Sequence, residues 1–132
     1  MGQPAARKGD AVAGIDTHIV LVPPAPPAPT PLPHPFKGTI TGGTVSSVKI
    51  EGAEAAVVGS TAKNDPPHVP TPPGTAFQKP PSNSGTVTKG SSSVTIGGKA
   101  AARLGDSVKT CNDPTDAETS AITAGAAKVT IG

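Results

Sequence analysis

Three histidines, His18, His34 and His68, and a single cysteine, Cys111, are the side chains here whose chemistry suits a metal ion. Their spacing matches no local zinc-finger pattern. Two of them are related in another way. His18 lies eight residues after Asp10, His68 lies eight residues after Ser60, and Asp10 and Ser60 hold the same place in two copies of an internal repeat. A fold that superposes the copies brings both imidazoles to one end. The matching place in the remaining copy is Pro114, and Cys111 stands three residues before it, so a thiol approaches from the third side. His34 can supply a fourth ligand. Three imidazoles and one thiolate form the closed tetrahedral shell that zinc favours, with no position left for water or substrate. Such a site is structural, and metal binding becomes folding free energy. Two other readings stand beside it. The histidines can be solvent-facing loop residues, with Cys111 a small buried hydrophobe. An open zinc site could instead serve hydrolysis, with Asp16 or Asp65 as general base, although no nucleophile motif or acid pair accompanies it.

The elements that must position these side chains are three copies of one repeat. One copy contains Gly38–Gly42, then Val48-Lys49-Ile50-Glu51-Gly52, then Ala55-Ala56-Val57-Val58-Gly59-Ser60. The next contains Gly85–Gly90, then Val94-Thr95-Ile96-Gly97-Gly98, then Ala101-Ala102-Arg103-Leu104-Gly105-Asp106. The third starts as Ala121–Gly125 and Val129-Thr130-Ile131-Gly132, and its missing part is Ala5-Ala6-Arg7-Lys8-Gly9-Asp10 at the other end of the chain. This order predicts a closed ring with adjacent termini and an approximate threefold axis. The alternation at Val48/Ile50, Val94/Ile96 and Val129/Ile131 predicts strands whose apolar side chains point inward. The short Gly/Ser/Lys links between paired strand segments predict hairpins. Each repeat glycine before Asp or Ser is expected in a turn of positive φ. Single hairpins are marginal in water, so three must bury their apolar faces together, and closure removes most strand edges.

The 132 residues form one expected domain, 1–132, of all-β class: a compact pseudo-threefold cone of short strands with proline-rich loops. Aromatic residues are 2% of the chain, Phe36 and Phe77, so small β-branched side chains must pack the core and a further staple is needed. Of seventeen prolines, eight lie in 23–35 and seven in 66–81. Three long connections are expected, 19–37, 66–84 and 112–119, and the prolines stiffen the first two in extended polyproline geometry. A net charge of +2 without a basic stripe or stacking aromatics gives no support to nucleic-acid binding. One cysteine excludes an internal disulfide. No apolar run approaches a membrane span, and no signal peptide is visible, so synthesis in the cytoplasm is expected.

Gln3-Pro4-Ala5-Ala6-Arg7-Lys8-Gly9-Asp10 contains Pro-Ala-Ala-Arg, and Ile96–Asp106 repeats the pattern in an extended form. These segments resemble the PAAR-repeat family, and Asp16-Thr17-His18 resembles that family's Asp/Ser-x-His ending of the first element. The middle copy departs, with Val57 for Arg and Ser60 for Asp. The resemblance implies a cone that caps the trimeric β-helical spike of contractile injection systems, type VI secretion or related phage-tail-like particles. It implies an apical metal, zinc, held by histidines and a cysteine. His18, His68 and Cys111 fall at the matching positions, and His34 is the one histidine left. The implied partner is a trimeric spike of the valine-glycine-repeat or phage-spike type, docked on the strand segments of Val48, Ile50, Val94, Ile96, Val129 and Ile131. Effector cargo, transient contact with a target membrane and delivery outside the cell at the apparatus tip follow from the same resemblance. The alternative is a zinc-stapled adhesion or adaptor module.

Overall fold

The computed structural model describes residues 2–132. Among the described residues the chain forms thirteen strands: β1 (Gln3–Pro4), β2 (Ala11–Val22), β3 (Ala28–Gly42), β4 (Val45–Ile50), β5 (Ala53–Ala55), β6 (Thr61–Asn64), β7 (Ala76–Phe77), β8 (Ser84–Val87), β9 (Thr95–Ile96), β10 (Lys99–Ala100), β11 (Ser107–Thr110), β12 (Ala117–Ile122) and β13 (Thr130–Ile131). All but β7, which pairs with the far half of β2, are arranged as three like units, each with a two-stranded ribbon at the base and two strands in a barrel. The ribbons are β4–β5, β9–β10 and β13–β1. The two chain ends form the last of these, through Gln3↔Ile131 and Pro4↔Thr130. The barrel runs β12-β11-β8-β6-β3-β2 and closes where β12 returns to β2 at Ala121↔Ala13 and Ile122↔Val12. The expected all-β, pseudo-threefold ring with adjacent ends is the architecture observed.

The Ala-Ala pairs lock the ring. Ala6 N–H donates to the Ala102 carbonyl, Ala102 N–H to Ala56, and Ala56 N–H to Ala6, each at 3.0 Å. The alternation of extended backbone sends the two alanines of each pair opposite ways. Ala6, Ala56 and Ala102 join an upper core with Val12, Phe36, Ile40, Val87, Val108 and Ile122. Ala5, Ala55 and Ala101 join a lower core with Ile50, Ala126 and Ile131. Three methyl groups at each level are what close packing around the axis admits.

The turn after each pair follows from its Gly-Asp ending. Gly9, Gly59 and Gly105 have φ of 95°, 98° and 92°, as the repeat predicts. Asp10 Oδ2 accepts the Arg7 N–H and Asp106 Oδ2 accepts the Arg103 N–H, both at 2.7 Å. Each arginine side chain also grips its own aspartate, with Nη2–Oδ1 separations of 3.0 and 2.9 Å. In the middle copy Ser60 Oγ takes the same backbone N–H, from Val57, at 2.9 Å. The two departures belong together. Ser60 is fully buried, and a carboxylate there without an arginine would be an unpaired buried charge.

The structure corrects three expectations. The hairpins form one step further along the repeat than expected. The tight turns are Glu51-Gly52, between β4 and β5, and Gly97-Gly98, between β9 and β10, with φ of 48°, 84°, 61° and 84°. The Gly/Ser links instead carry the chain from barrel to base. Second, Val48 is 37% exposed rather than inward. A register shift between Val45 and Lys49 gives Val45 the place opposite Ala55 and pushes the residues between them out of the ladder. Ile50 and Ile131 are buried as expected, while Val94, Ile96 and Val129 are partly buried. Third, most of 19–37 is strand, not loop. β2 and β3 pair continuously from Ala11↔Thr39 to Val22↔Ala28.

The prolines fit because they alternate. Pro29, Pro31, Pro33 and Pro35 face outward, while His34 and Phe36 face inward. The outer backbone groups of this stretch point away from β2, since the Pro33 carbonyl accepts from Thr71 Oγ1 and the Lys37 carbonyl from the Asp65 N–H, both at 3.0 Å. Each proline therefore lacks an N–H where β2 needs none. Twelve- and fifteen-residue strands beside four-residue ones carry this hairpin above the barrel and make the body taper.

Candidate metal centre

The apex is built from the inner faces of two strands and from two connections. The period of two on β2 sends Asp16, His18 and Val20 inward. β3 contributes His34 beside Phe36. Cys111 follows β11, and His68 comes from the segment between β6 and β7. β12 pairs with β2 only as far as Gly14. Beyond it, Asn112 Oδ1 accepts the Thr17 N–H at 2.6 Å and Asp113 Oδ2 accepts the Ile19 N–H at 2.9 Å. The Asp113 N–H returns a bond to the Thr17 carbonyl at 2.7 Å. These bonds fix the backbone next to Cys111. On the other side, Asn83 in the left-handed region (φ 57°) accepts the His68 N–H on its Oδ1 at 2.7 Å.

Asp16, His18, His68 and Cys111 converge, with one donor atom from each lying within 4.8 Å of the others. Cys111 Sγ lies 3.7 Å from His18 Nε2 and 3.5 Å from Asp16 Oδ2. His68 Nε2 lies 3.2 Å from Asp16 Oδ2. All four side chains are at most 3% exposed. Asp16 is oriented by its other oxygen, which accepts from Thr110 Oγ1 and, at 2.7 Å, from Thr119 Oγ1. His18 Nδ1 has no hydrogen-bond partner, and Asp113 Oδ2 stands 3.4 Å away.

His34 shares the apex without entering this group. Its ring centroid is 5.2 Å from that of His18 and 5.7 Å from that of His68. Its Nδ1 bonds the Leu32 carbonyl at 2.9 Å, and its Nε2 accepts the Thr71 N–H at 3.1 Å. Asp65, the other acid weighed as a base, is exposed. Sequence reading missed the supports Asn64, Asn83, Asn112 and Asp113. The short stretch after Cys111, rich in side-chain acceptors, is the one signal that could have pointed to the last two.

Burial, and then the Asp16 charge, push the Cys111 thiol up to about 11. Burial, and then His68, hold His18 below the ordinary imidazole range, against the pull of Asp113 and Asp16. A thiol, two imidazoles and a carboxylate, shielded from water, fit a borderline-soft divalent ion such as zinc. A pocket of about 200 Å³ beside the group is lined by Lys79, Ser82, Asp113 and Asp116 together with His18 and Cys111.

A closed pseudo-threefold β-barrel with a histidine–cysteine apex is thus the class of protein in hand. The PAAR motif model matches residues 78–132, and this match supports membership of the PAAR-repeat family. The match spans the Ala101-Ala102-Arg103 copy and the C-terminal half of the third, while Pro4-Ala5-Ala6-Arg7 lies outside it. No curated protein matches the sequence.

Proposed function

We propose that this chain is the tip of a contractile injection spike, seated on a trimeric spike protein of the valine-glycine-repeat or phage-spike type. The observation that supports it most is the ring itself. One polypeptide presents three like ribbons around one axis, so it can meet three identical chains with three like contacts at once. The apolar side chains reaching the surface there are Val48, with Val94, Ile96 and Val129 half covered, while Ile50 and Ile131 lie beneath them.

At the other end, His18, His68 and Cys111 would hold zinc and so join β2 to the two connections. The ion supplies a positive centre for the thiolate and fixes segments that few aliphatic contacts hold. The tapered, proline-walled hairpin and this tie make a stiff point for breaching an envelope, carried out of the cell by the apparatus. Mixing the chain with a trimeric spike of the same system and weighing the product by native mass spectrometry tests the reading. One chain per trimer is expected, and the Val48→Glu variant, at the exposed position, should weaken the complex while melting like the native chain. A native chain that leaves the spike trimer free would sink the proposal and favour an adhesion or adaptor module.

A further inference from the structure

Resting on the metal-centre reading just given, we propose that Asp16 is the fourth ligand of the apical ion and that His34 is a strut beside it.

Four-coordinate zinc with about 2.0–2.2 Å to nitrogen and oxygen and about 2.3 Å to sulfur has ligand-to-ligand edges of about 3.3 to 3.6 Å. Of the six edges among the four donors, three are 3.2 Å for His68 Nε2 to Asp16 Oδ2, 3.5 Å for Cys111 Sγ to Asp16 Oδ2 and 3.7 Å for Cys111 Sγ to His18 Nε2, and all six are within 4.8 Å. Two of the three edges include Asp16. Its carboxylate is divided in function: Oδ1 is held by Thr110 and Thr119, and Oδ2 faces the donors. Asp113 has the complementary role. It stands behind His18 on the Nδ1 side, which turns the Nε2 lone pair toward Cys111.

His34 has no lone pair to give. Nδ1–H donates to the Leu32 carbonyl, so Nε2 is the acceptor nitrogen, and the Thr71 N–H occupies it. Those two bonds tie β3 to the segment that carries His68. Charge favours the same assignment. A divalent ion with one thiolate and three neutral imidazoles has a shell of net charge +1, with the buried Asp16 carboxylate beside it but not bonded to it. A thiolate and a carboxylate bonded to the ion neutralise it, and the cost of burying separated charges falls away.

X-ray absorption of the zinc-loaded native chain reads the shell directly. Two imidazoles, one oxygen and one sulfur are expected; three imidazoles and one sulfur would overturn the assignment. Cobalt titration of two variants gives a second readout. His34→Gln should still take one cobalt, with the sulfur-to-metal charge-transfer band kept and affinity within about threefold of native. Asp16→Asn should bind on the order of 100-fold more weakly. Loss of cobalt in His34→Gln with native affinity in Asp16→Asn would refute the proposal. A native chain that takes up neither ion would remove the metal centre itself, a different failure from a wrong fourth ligand.

Discussion

Replacing Asp106 by alanine and, separately, by serine tests how each repeat unit is closed. Asp106 is 3% exposed, and its carboxylate accepts from Arg103 N at 2.7 Å, Nε at 3.1 Å and Nη2 at 2.9 Å. Alanine leaves the backbone N–H without an acceptor inside the fold, at a cost of about 1–2 kcal/mol. The guanidinium loses less. Its side chain is 19% exposed and Nη1 keeps the Gly132 carbonyl at 3.1 Å, so the ion pair adds no more than about 1 kcal/mol. The alanine variant should therefore lose about 2–3 kcal/mol, and the serine variant, which restores the backbone bond, about 1 kcal/mol. The middle copy already carries the serine solution, since Ser60 Oγ accepts the Val57 N–H at 2.9 Å. At roughly 3–5 °C per kcal/mol for a chain of this size, the expected drops in Tm are about 10 °C and about 4 °C. Urea unfolding and calorimetry should be run with a chelator, because metal bound to the folded state adds its own stability. A serine variant as damaged as the alanine one would refute the argument. So would an alanine variant within about 0.5 kcal/mol of native, the range of an ordinary surface substitution.

Gly105→Ala should cost about 1–2 kcal/mol in the same unfolding assay, because φ is 92° there although an added Cβ would meet no atom within 4 Å. Zinc binding at pH 7.5 should release close to one proton, read from calorimetry in two buffers of different ionisation enthalpy. The Cys111 thiol, pushed up to about 11, is protonated at that pH and must give its proton to the buffer when it binds the metal, whereas His18 is already neutral. Affinity should accordingly rise about tenfold per pH unit from 7 to 9. Release near zero would show that Cys111 is not a ligand.

The ring was legible because the repeat is constrained at every position. Ala-Ala serves two cores from adjacent residues, the glycine has positive φ, and the following Asp or Ser accepts a backbone N–H. Those demands leave few acceptable residues, so the copies stay recognisable around the chain. The long hairpin was hidden by a rule that usually holds, that proline ends a strand. The period of two in Pro29, Pro31, Pro33 and Pro35 was the signal that it would not. The outward turn of Val48 was not legible, because the equivalence of Val48 and Val94 in sequence ignores the register shift that hands the position to Val45. At the apex, repeat equivalence found His18 and His68, whose ring centroids lie 4.9 Å apart. Asp16 was legible too, two residues from His18 and hence on the same face of one strand, but its sequence reading was as a general base and not as a donor beside the imidazoles.

The two ends of this molecule solve the shortage of aromatic residues differently. Around the axis, aliphatic side chains and backbone bonds suffice: the triangle of Ala6, Ala56 and Ala102 satisfies its own donors and acceptors, and no charge is buried in it. Above the barrel the interior is filled by His18, His34, His68 and Phe77, with ring centroids 4.9–5.7 Å apart. Imidazoles fill space as small aromatics do, but each brings two nitrogens that need partners when buried. The apex satisfies those of His34 with backbone groups. It leaves His18, His68, Asp16 and Cys111 facing one another, where the acidic oxygen and the sulfur raise each other's cost. A cation at that point would satisfy all four at once and tie β2 to the segments that carry His68 and Cys111. Packing rings that double as ligands is thus a way to make a sharp point from a chain too poor in large apolar side chains to fill one.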